Sequence, residues 1–180
     1  MIAEHLTVAI VQNSIDPRAA WGNGGSLMAS MSPSYSQAVW RGVNVLLRSF
    51  RDSETPPDII VLPELAIPRS SKAALLRVAR AIGSVVIAGF DYQIDHIGET
   101  FKNEAFVIVP KQASESRFPG RGLRGFSVGK TYPSAKEKKW GNASGYDFRS
   151  DGIVWEFVSK RIGRFGVAVC YDLMDLERAL

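Results

Sequence analysis

Residues 58–64 read DIIVLPE, four consecutive apolar residues between an aspartate and a Pro-Glu pair. A short apolar run that is rich in β-branched residues and bounded by turn-forming residues predicts a buried strand. A continuous run, rather than an alternating one, is typical of strands that are covered on both faces. The stretch therefore predicts a layered fold in which Glu64 stands at the end of a central strand.

Other segments extend this pattern in both directions along the chain. Further buried strands are predicted at 6–11 (LTVAIV), 84–89 (SVVIAG) and 104–109 (EAFVIV). Apolar residues at helical spacing predict one helix that begins near Tyr35 and another that runs from about Ser70 to Ile82. Strands that alternate with helices predict an α/β or α+β layered domain.

The second half of the chain carries weaker patterns. Residues 126–130 predict a short strand, 133–146 a charged irregular segment, and 153–158 a hairpin strand. Glycines at 163 and 166 predict a turn. Residues 167–170 (VAVC) predict a last strand that ends at Cys170. Residues 13–34, rich in Gly, Ser, Asn and Pro, predict a loop or insertion.

Composition narrows the functional classes. The chain has 180 residues, 46% hydrophobic and 22% charged, which fits one globular domain. The net charge of +4 arises partly from a basic stretch at 117–139, which we interpret as a solvated surface, so no nucleic-acid partner is expected. No apolar run approaches the length of a membrane span and the N-terminus lacks a signal-peptide pattern, so no membrane partner is expected.

Cysteine and histidine are scarce. The chain has one cysteine and two histidines that are far apart, without the spacing of metal ligands, so neither a disulfide nor a metal site is predicted. A single free cysteine fits a reducing compartment, and we expect a cytoplasmic protein.

Three predicted strand ends carry reactive side chains, namely Glu64, Lys130 and Cys170. Groups at strand ends are held by a rigid scaffold and remain open to a cleft, which suits a base, a cation and a nucleophile. Each also has an ordinary structural explanation. A cysteine after an apolar strand is commonly a small core residue, a glutamate after proline can begin a turn, and a lysine can be a surface residue.

Taken together and in order, four segments resemble the nitrilase superfamily of carbon–nitrogen hydrolases. They are VAIVQ at 8–12, IIVLPEL at 59–65, GKTYP at 129–133 followed by Glu137, and GVAVCYD at 166–172. The likeness extends from about residue 6 to residue 177. It implies an α/β (α+β layered) fold of the nitrilase-like α-β-β-α sandwich type. It also implies that residues 1–180 are the N-terminal and catalytic portion of such a domain, with the sandwich incomplete at its C-terminus.

The resemblance also implies a mechanism. Cys170 would be the nucleophile, Glu64 the general base and Lys130 the oxyanion-stabilising cation, with Glu137 and Tyr171 in accessory, substrate-positioning roles. The substrates would be small amides, nitriles or N-carbamoyl compounds, hydrolysed through a Cys thioester without metal or organic cofactor. Homo-oligomers are common in the family, and we expect one here.

Two alternatives remain open at the level of sequence. The chain could be a non-catalytic or regulatory nitrilase-like domain of a larger multidomain protein, such as those linked to reverse transcriptases in phage defence. It could also be a structural α/β domain with a core cysteine. Selective, pH-dependent alkylation of Cys170 would separate a reactive thiol from both.

Overall fold

The computed structural model describes residues 5–21, 31–110, 124–159 and 162–174, apart from the side chains of Arg124 and Tyr171. The strands are β1 (Val8–Ile10), β2 (Ile59–Ile67), β3 (Val85–Phe90), β4 (Gln93–Asp95), β5 (Thr100–Lys102), β6 (Glu104–Val109), β7 (Arg124–Gly129), β8 (Asp147–Phe148), β9 (Glu156–Ser159) and β10 (Gly163–Gly166). The helices are α1 (Pro17–Trp21), α2 (Pro33–Arg51), α3 (Lys72–Ile82) and α4 (Ala135–Ser144). Short 3₁₀ turns cover Arg69–Ser71 and Cys170–Met174.

The main sheet has five strands in the order β1-β2-β3-β6-β7. β1, β2 and β3 run parallel, whereas β6 and β7 are each antiparallel to their neighbour. The strands predicted at 84–89 and 104–109 are confirmed, and that at 6–11 is confirmed over its centre. Both faces of the central strands are covered, so residues pointing to either face are buried, which is why these strands are apolar throughout.

Helices α2 and α3 cover one face of the sheet. Their buried side chains, among them Leu47 and Leu75, meet sheet residues such as Ile60, Val86 and Ile108. α3 ends at Gly83, whose φ of 81° is the left-handed conformation that glycine adopts without a steric penalty. Both helices were predicted from their apolar spacing, and both are confirmed to within a few residues.

The β9–β10 hairpin packs on the opposite face. Phe157 of the hairpin joins Val85, Val107 and Val128 of the sheet in a second apolar cluster. The rings of Phe157 and Phe165 stack with centroids 5.2 Å apart. Helices, sheet and hairpin thus form successive layers of a mixed α/β fold. Within the described ranges, no helix has both the length and the apolar character needed to cross a bilayer.

Three predictions for the second half were wrong. Residues 133–146 contain helix α4, because Ser134 and Glu137 form a reciprocal capping box that outweighs the low hydrophobicity of the segment. Residues 163–166 form strand β10 rather than a turn, because they pair antiparallel with β9. Residues 167–169 lie outside the described strands, and Cys170 begins a 3₁₀ turn. The predicted loop at 13–34 contains α1 and the start of α2, and its residues 22–30 lie outside the described structure.

Candidate active site

An irregularity in strand β2 delivers Glu64. Leu62 pairs with Ala88 and Ile67 pairs with Phe90, so four residues of β2 face a single residue of β3. This bulge includes Leu65, which has a φ of 58°. Gly89 permits it, because a Cβ atom there would collide with the Pro63 carbonyl oxygen and the Cα of Glu64. Glu64 is thereby turned out of the sheet, with 26% of its side chain exposed.

Lys130 directly follows β7 and is the most deeply buried charged group of the site, with 1% of its side chain exposed. Its Nζ lies 3.0 Å from Oε1 of Glu64 and 2.7 Å from Oε2 of Glu137. Burial disfavours the ammonium, but the hydrogen bonds and charges of the two glutamates outweigh it and raise the pKa of Lys130. Lys130 is therefore a fixed cation between two carboxylates.

Glu137 lies in the first turn of α4 and is 4% exposed. Its Oε2 accepts the Ser134 N–H at 2.7 Å as well as Lys130, and its Oε1 accepts the Tyr92 hydroxyl at 3.2 Å. Burial favours the neutral acid, but hydrogen bonds from Lys130, the Ser134 N–H and Asn103 outweigh it and lower the pKa of Glu137. Burial, followed by the charges of the two glutamates, raises the pKa of Tyr92, which stays a hydroxyl donor.

Cys170 stands at the start of the last 3₁₀ turn with a φ of 51°, a strained conformation for a residue with a side chain. Non-glycine residues held in this region cluster at functional sites. Partial burial, a hydrogen bond to the Glu64 carboxylate and the charge of that carboxylate together raise the pKa of Cys170, against the opposing effect of Lys130. The raised pKa favours the neutral thiol, and Cys170 and Glu64 line the same cavity.

Asp172 ties this turn to the segment that follows Lys130. Its carboxylate accepts the N–H of Thr131 at 2.9 Å and the N–H of Tyr132 at 2.8 Å. On the other side of Lys130, the N–H of Gly129 is held by Asp151 at 2.9 Å. Both flanks of Lys130 are thus anchored by carboxylates.

A cavity of about 270 Å³ opens onto these groups. Glu64, Lys130 and Cys170 contribute polar atoms, and the apolar walls come from Pro17, Trp21, Leu65, Tyr92 and Trp140. Trp140 is held by ring contacts with Tyr92 and Phe101 at centroid distances of 5.2 and 5.0 Å. A larger hollow of about 520 Å³ beside Pro57 and Ile82 lies at the other end of the sheet and contains none of the three groups.

The structure brings together four of the five residues singled out from sequence, namely Glu64, Lys130, Glu137 and Cys170. Tyr171 lies in the turn after Cys170, and its side chain is outside the described part. Sequence reasoning missed Asn103 and Tyr92. The available signal for Asn103 was its position in a polar Asn-Glu pair directly before the apolar run 105–109. Within the described ranges, no group of three or more His, Cys, Asp or Glu side chains is arranged to hold a metal ion.

The fold is similar to that of solved structures from the nitrilase superfamily. A CN-hydrolase superfamily protein from Xanthomonas campestris, with an arsenic adduct in its active site, aligns at a TM-score of 0.57 and 15% identity over 94% of this chain and 54% of that one. An N-terminal amidase with a Gln-Gly peptide aligns at a TM-score of 0.53 and 16% identity, over 93% of this chain and 40% of that one. Nit3 of Saccharomyces cerevisiae, a member of branch 10 of the superfamily, aligns at a TM-score of 0.55 and 16% identity, over 82% of this chain and 54% of that one.

At these identities the likeness establishes the fold, which is nitrilase-like as predicted. No protein family and no curated protein matches the sequence itself. The chain spans about half the length of the solved structures that it matches.

Proposed function

We propose that this chain carries the catalytic portion of a thiol-dependent hydrolase of non-peptide carbon–nitrogen bonds, acting on small amides, nitriles or N-carbamoyl compounds. One observation carries the proposal. Lys130 is buried between Glu64 and Glu137 at the wall of a cavity that Glu64 and Cys170 both line. The solved structures with this fold support it, because they are described as CN-hydrolase, amidase and nitrilase-superfamily proteins.

The first step for an amide would be attack by sulfur. Glu64 takes the proton of the Cys170 thiol while sulfur forms a bond to the carbonyl carbon, and the carbonyl π electrons move to oxygen. The Lys130 ammonium lines the cavity and would stabilise that oxyanion, together with the backbone N–H of Tyr171. Removing one such donor typically costs roughly 3–4 kcal/mol of transition-state stabilisation.

Collapse of this intermediate breaks the C–N bond. The protonated Glu64 gives its proton to the leaving nitrogen, and a thioester with Cys170 remains. Water then attacks the thioester carbon while Glu64 accepts a proton from it. The C–S bond breaks, a carboxylic acid leaves, and the thiol takes back its proton. Each step balances with water as the only co-reactant.

The raised pKa of Cys170 decides how the thiol must be activated. Burial and then the Glu64 carboxylate raise the pKa of Cys170, which favours the thiol over the thiolate at neutral pH. In the proposed mechanism Glu64 therefore removes the proton during attack. Lys130 forms ion pairs with both Glu64 and Glu137, so its positive charge partly offsets the repulsion between the two carboxylates.

Alkylation by iodoacetamide tests this arrangement, and Cys170 is the only thiol in the chain. We expect wild type to react faster than Glu64→Gln near pH 6, because only the carboxylate can take the proton there. Near pH 9 the order should be lost or reversed, because Glu64→Gln no longer raises the Cys170 pKa. Glu54→Gln, an exposed glutamate, is the matched control. Parallel profiles for wild type and Glu64→Gln would contradict the base role.

Ammonia release from propionamide, propionitrile and N-carbamoylglycine tests the reaction itself. Cys170→Ala should abolish release, and Glu64→Gln should lower it by about 10²–10⁴-fold, the usual contribution of a positioned base. Cys170 that alkylates no faster than glutathione, together with no ammonia from any of the three compounds, would instead indicate a non-catalytic nitrilase-like domain.

A further inference from the structure

Asn103 lies under the candidate site, immediately before β6, and is completely buried. Its side-chain Nδ2 donates to Oε1 of Glu64 at 2.6 Å and to Oε1 of Glu137 at 3.1 Å. Its backbone carbonyl accepts the N–H of Lys130 at 2.8 Å. One residue therefore contacts the base, the cation and the accessory carboxylate.

These contacts close a ring of hydrogen bonds. Lys130 bonds Oε1 of Glu64 and Oε2 of Glu137, and the two protons of the Asn103 amide are directed to the same two side chains. Both Lys130 and Asn103 donate to the same oxygen of Glu64, Oε1. The orientation of Glu64 is thereby determined by two donors of different kinds.

The other end of the Asn103 amide shows which contacts determine its orientation. Oδ1 is buried and has no hydrogen-bond partner within the described ranges. A flipped amide would point this oxygen at two carboxylates, so the orientation is imposed by them. The donor end of the amide thus serves two charged groups.

We propose that Asn103 is a positioning residue that holds Glu64 and Glu137 at a fixed separation and thereby orients Glu64 toward Cys170, which lines the same cavity. The inference about the thiol rests on the proposed function, whereas the hold on the two carboxylates does not depend on it. Asn103 does not line the cavity and acts only through the two carboxylates.

The first test is carbon NMR titration of the protein labelled at the glutamate carboxyl carbon, with Glu137→Gln used to assign the resonance. Asn103→Leu removes both donors and keeps the branched shape of the side chain. We expect Glu137 to titrate at higher pH than in wild type, because one of the hydrogen bonds that lower its pKa is lost. Asn142→Leu, an exposed asparagine on α4, is the matched control. An unmoved Glu137 titration in a folded Asn103→Leu overturns the proposal.

The second test is a double-mutant cycle on the iodoacetamide rate near pH 6. In the wild-type background we expect Glu64→Gln to slow alkylation by about 10²-fold or more, the usual contribution of a positioned base. In the Asn103→Leu background the same change should slow it by only about threefold or less, because contacting residues of one network are not additive. Equal factors in both backgrounds would overturn the effect on the thiol.

Asn103→Ser provides a second variant if Asn103→Leu does not fold. Its hydroxyl has one proton and can serve only one carboxylate, so we expect both readouts to fall between those of wild type and the donor-free state. Wild-type values in both readouts would overturn the proposal. If Glu64→Gln leaves wild-type alkylation unchanged, the proposed function fails, and the Glu137 titration still decides whether Asn103 holds the carboxylates.

Discussion

Replacing Lys130 by Met tests whether the buried ion cluster is arranged as described. The change keeps an unbranched side chain of similar length and removes two charge-assisted hydrogen bonds, of 3.0 Å to Glu64 and 2.7 Å to Glu137. Glu137, which is 4% exposed, then remains as a buried carboxylate without its cation. Removing one partner of a buried pair typically destabilises by roughly 3–5 kcal/mol. We therefore expect a loss of about that size in the free energy of unfolding at pH 7.5.

The dependence on pH follows from Glu137. In wild type its folded-state pKa is lowered, so Glu137 contributes stability above its ordinary pKa of 4.5, and this stability is lost as the pH falls through the lower folded-state pKa. Lys130→Met removes the largest of the contributions that lower this pKa, so the variant gains less stability than wild type as the pH rises. The difference between wild type and Lys130→Met should therefore be smaller at pH 4.5 than at pH 7.5.

Urea unfolding at both pH values is the assay, with Lys138→Met as the control. Lys138 is exposed on α4, the helix that carries Glu137, so its replacement should change the free energy of unfolding by no more than about 0.5 kcal/mol. Adding Glu137→Gln to Lys130→Met should recover part of the loss, because the unpaired buried charge disappears. A loss below about 1 kcal/mol, or one that is equal at the two pH values, would refute the described cation between two carboxylates.

Three further changes probe the backbone around the site. Cys170→Gly should have a free energy of unfolding about 1 kcal/mol higher than Cys170→Ala, and so a higher urea midpoint, because only glycine accepts a φ of 51° without strain. Equal midpoints would argue against that strain. Gly89→Ala should push the backbone of Glu64 away, lowering stability by about 1–3 kcal/mol and slowing alkylation at pH 6; a variant with wild-type melting would contradict the close approach. Ser134→Ala should cost about 1 kcal/mol in a thermal melt by removing the cap of α4, which carries Glu137, and an unchanged melting temperature would exclude the capping box.

The central layers of the fold could be predicted from sequence. The runs at 59–62, 84–89 and 104–109 are apolar throughout, and such runs have few arrangements other than a sheet covered on both faces. The helices α2 and α3 show one apolar face at helical spacing, and both form where that spacing predicts. These patterns are local, so the residues themselves carry the information.

The missed helix α4 had a local signal, the capping box of Ser134 and Glu137, whereas the other errors lie where long-range contacts or special backbone geometry decide. The segment 163–166 becomes a strand because β9 pairs with it, and the glycines alone favoured a turn. Cys170 adopts a left-handed conformation that a β-branched run ahead of it does not reveal. The bulge that carries Glu64 depends on the empty space above Gly89 of the neighbouring strand.

By itself, the sequence determined the layered α/β class and the candidate side chains Glu64, Lys130, Glu137 and Cys170, because strand ends and motif order can be read along the chain. Only the tertiary structure decided that these groups line one cavity, that Asn103 joins two of them and that burial and Glu64 raise the pKa of Cys170. The physical reason is that hydrogen bonds and desolvation act at separations of a few ångströms. Residues far apart in the chain reach such separations only after the sheet has formed.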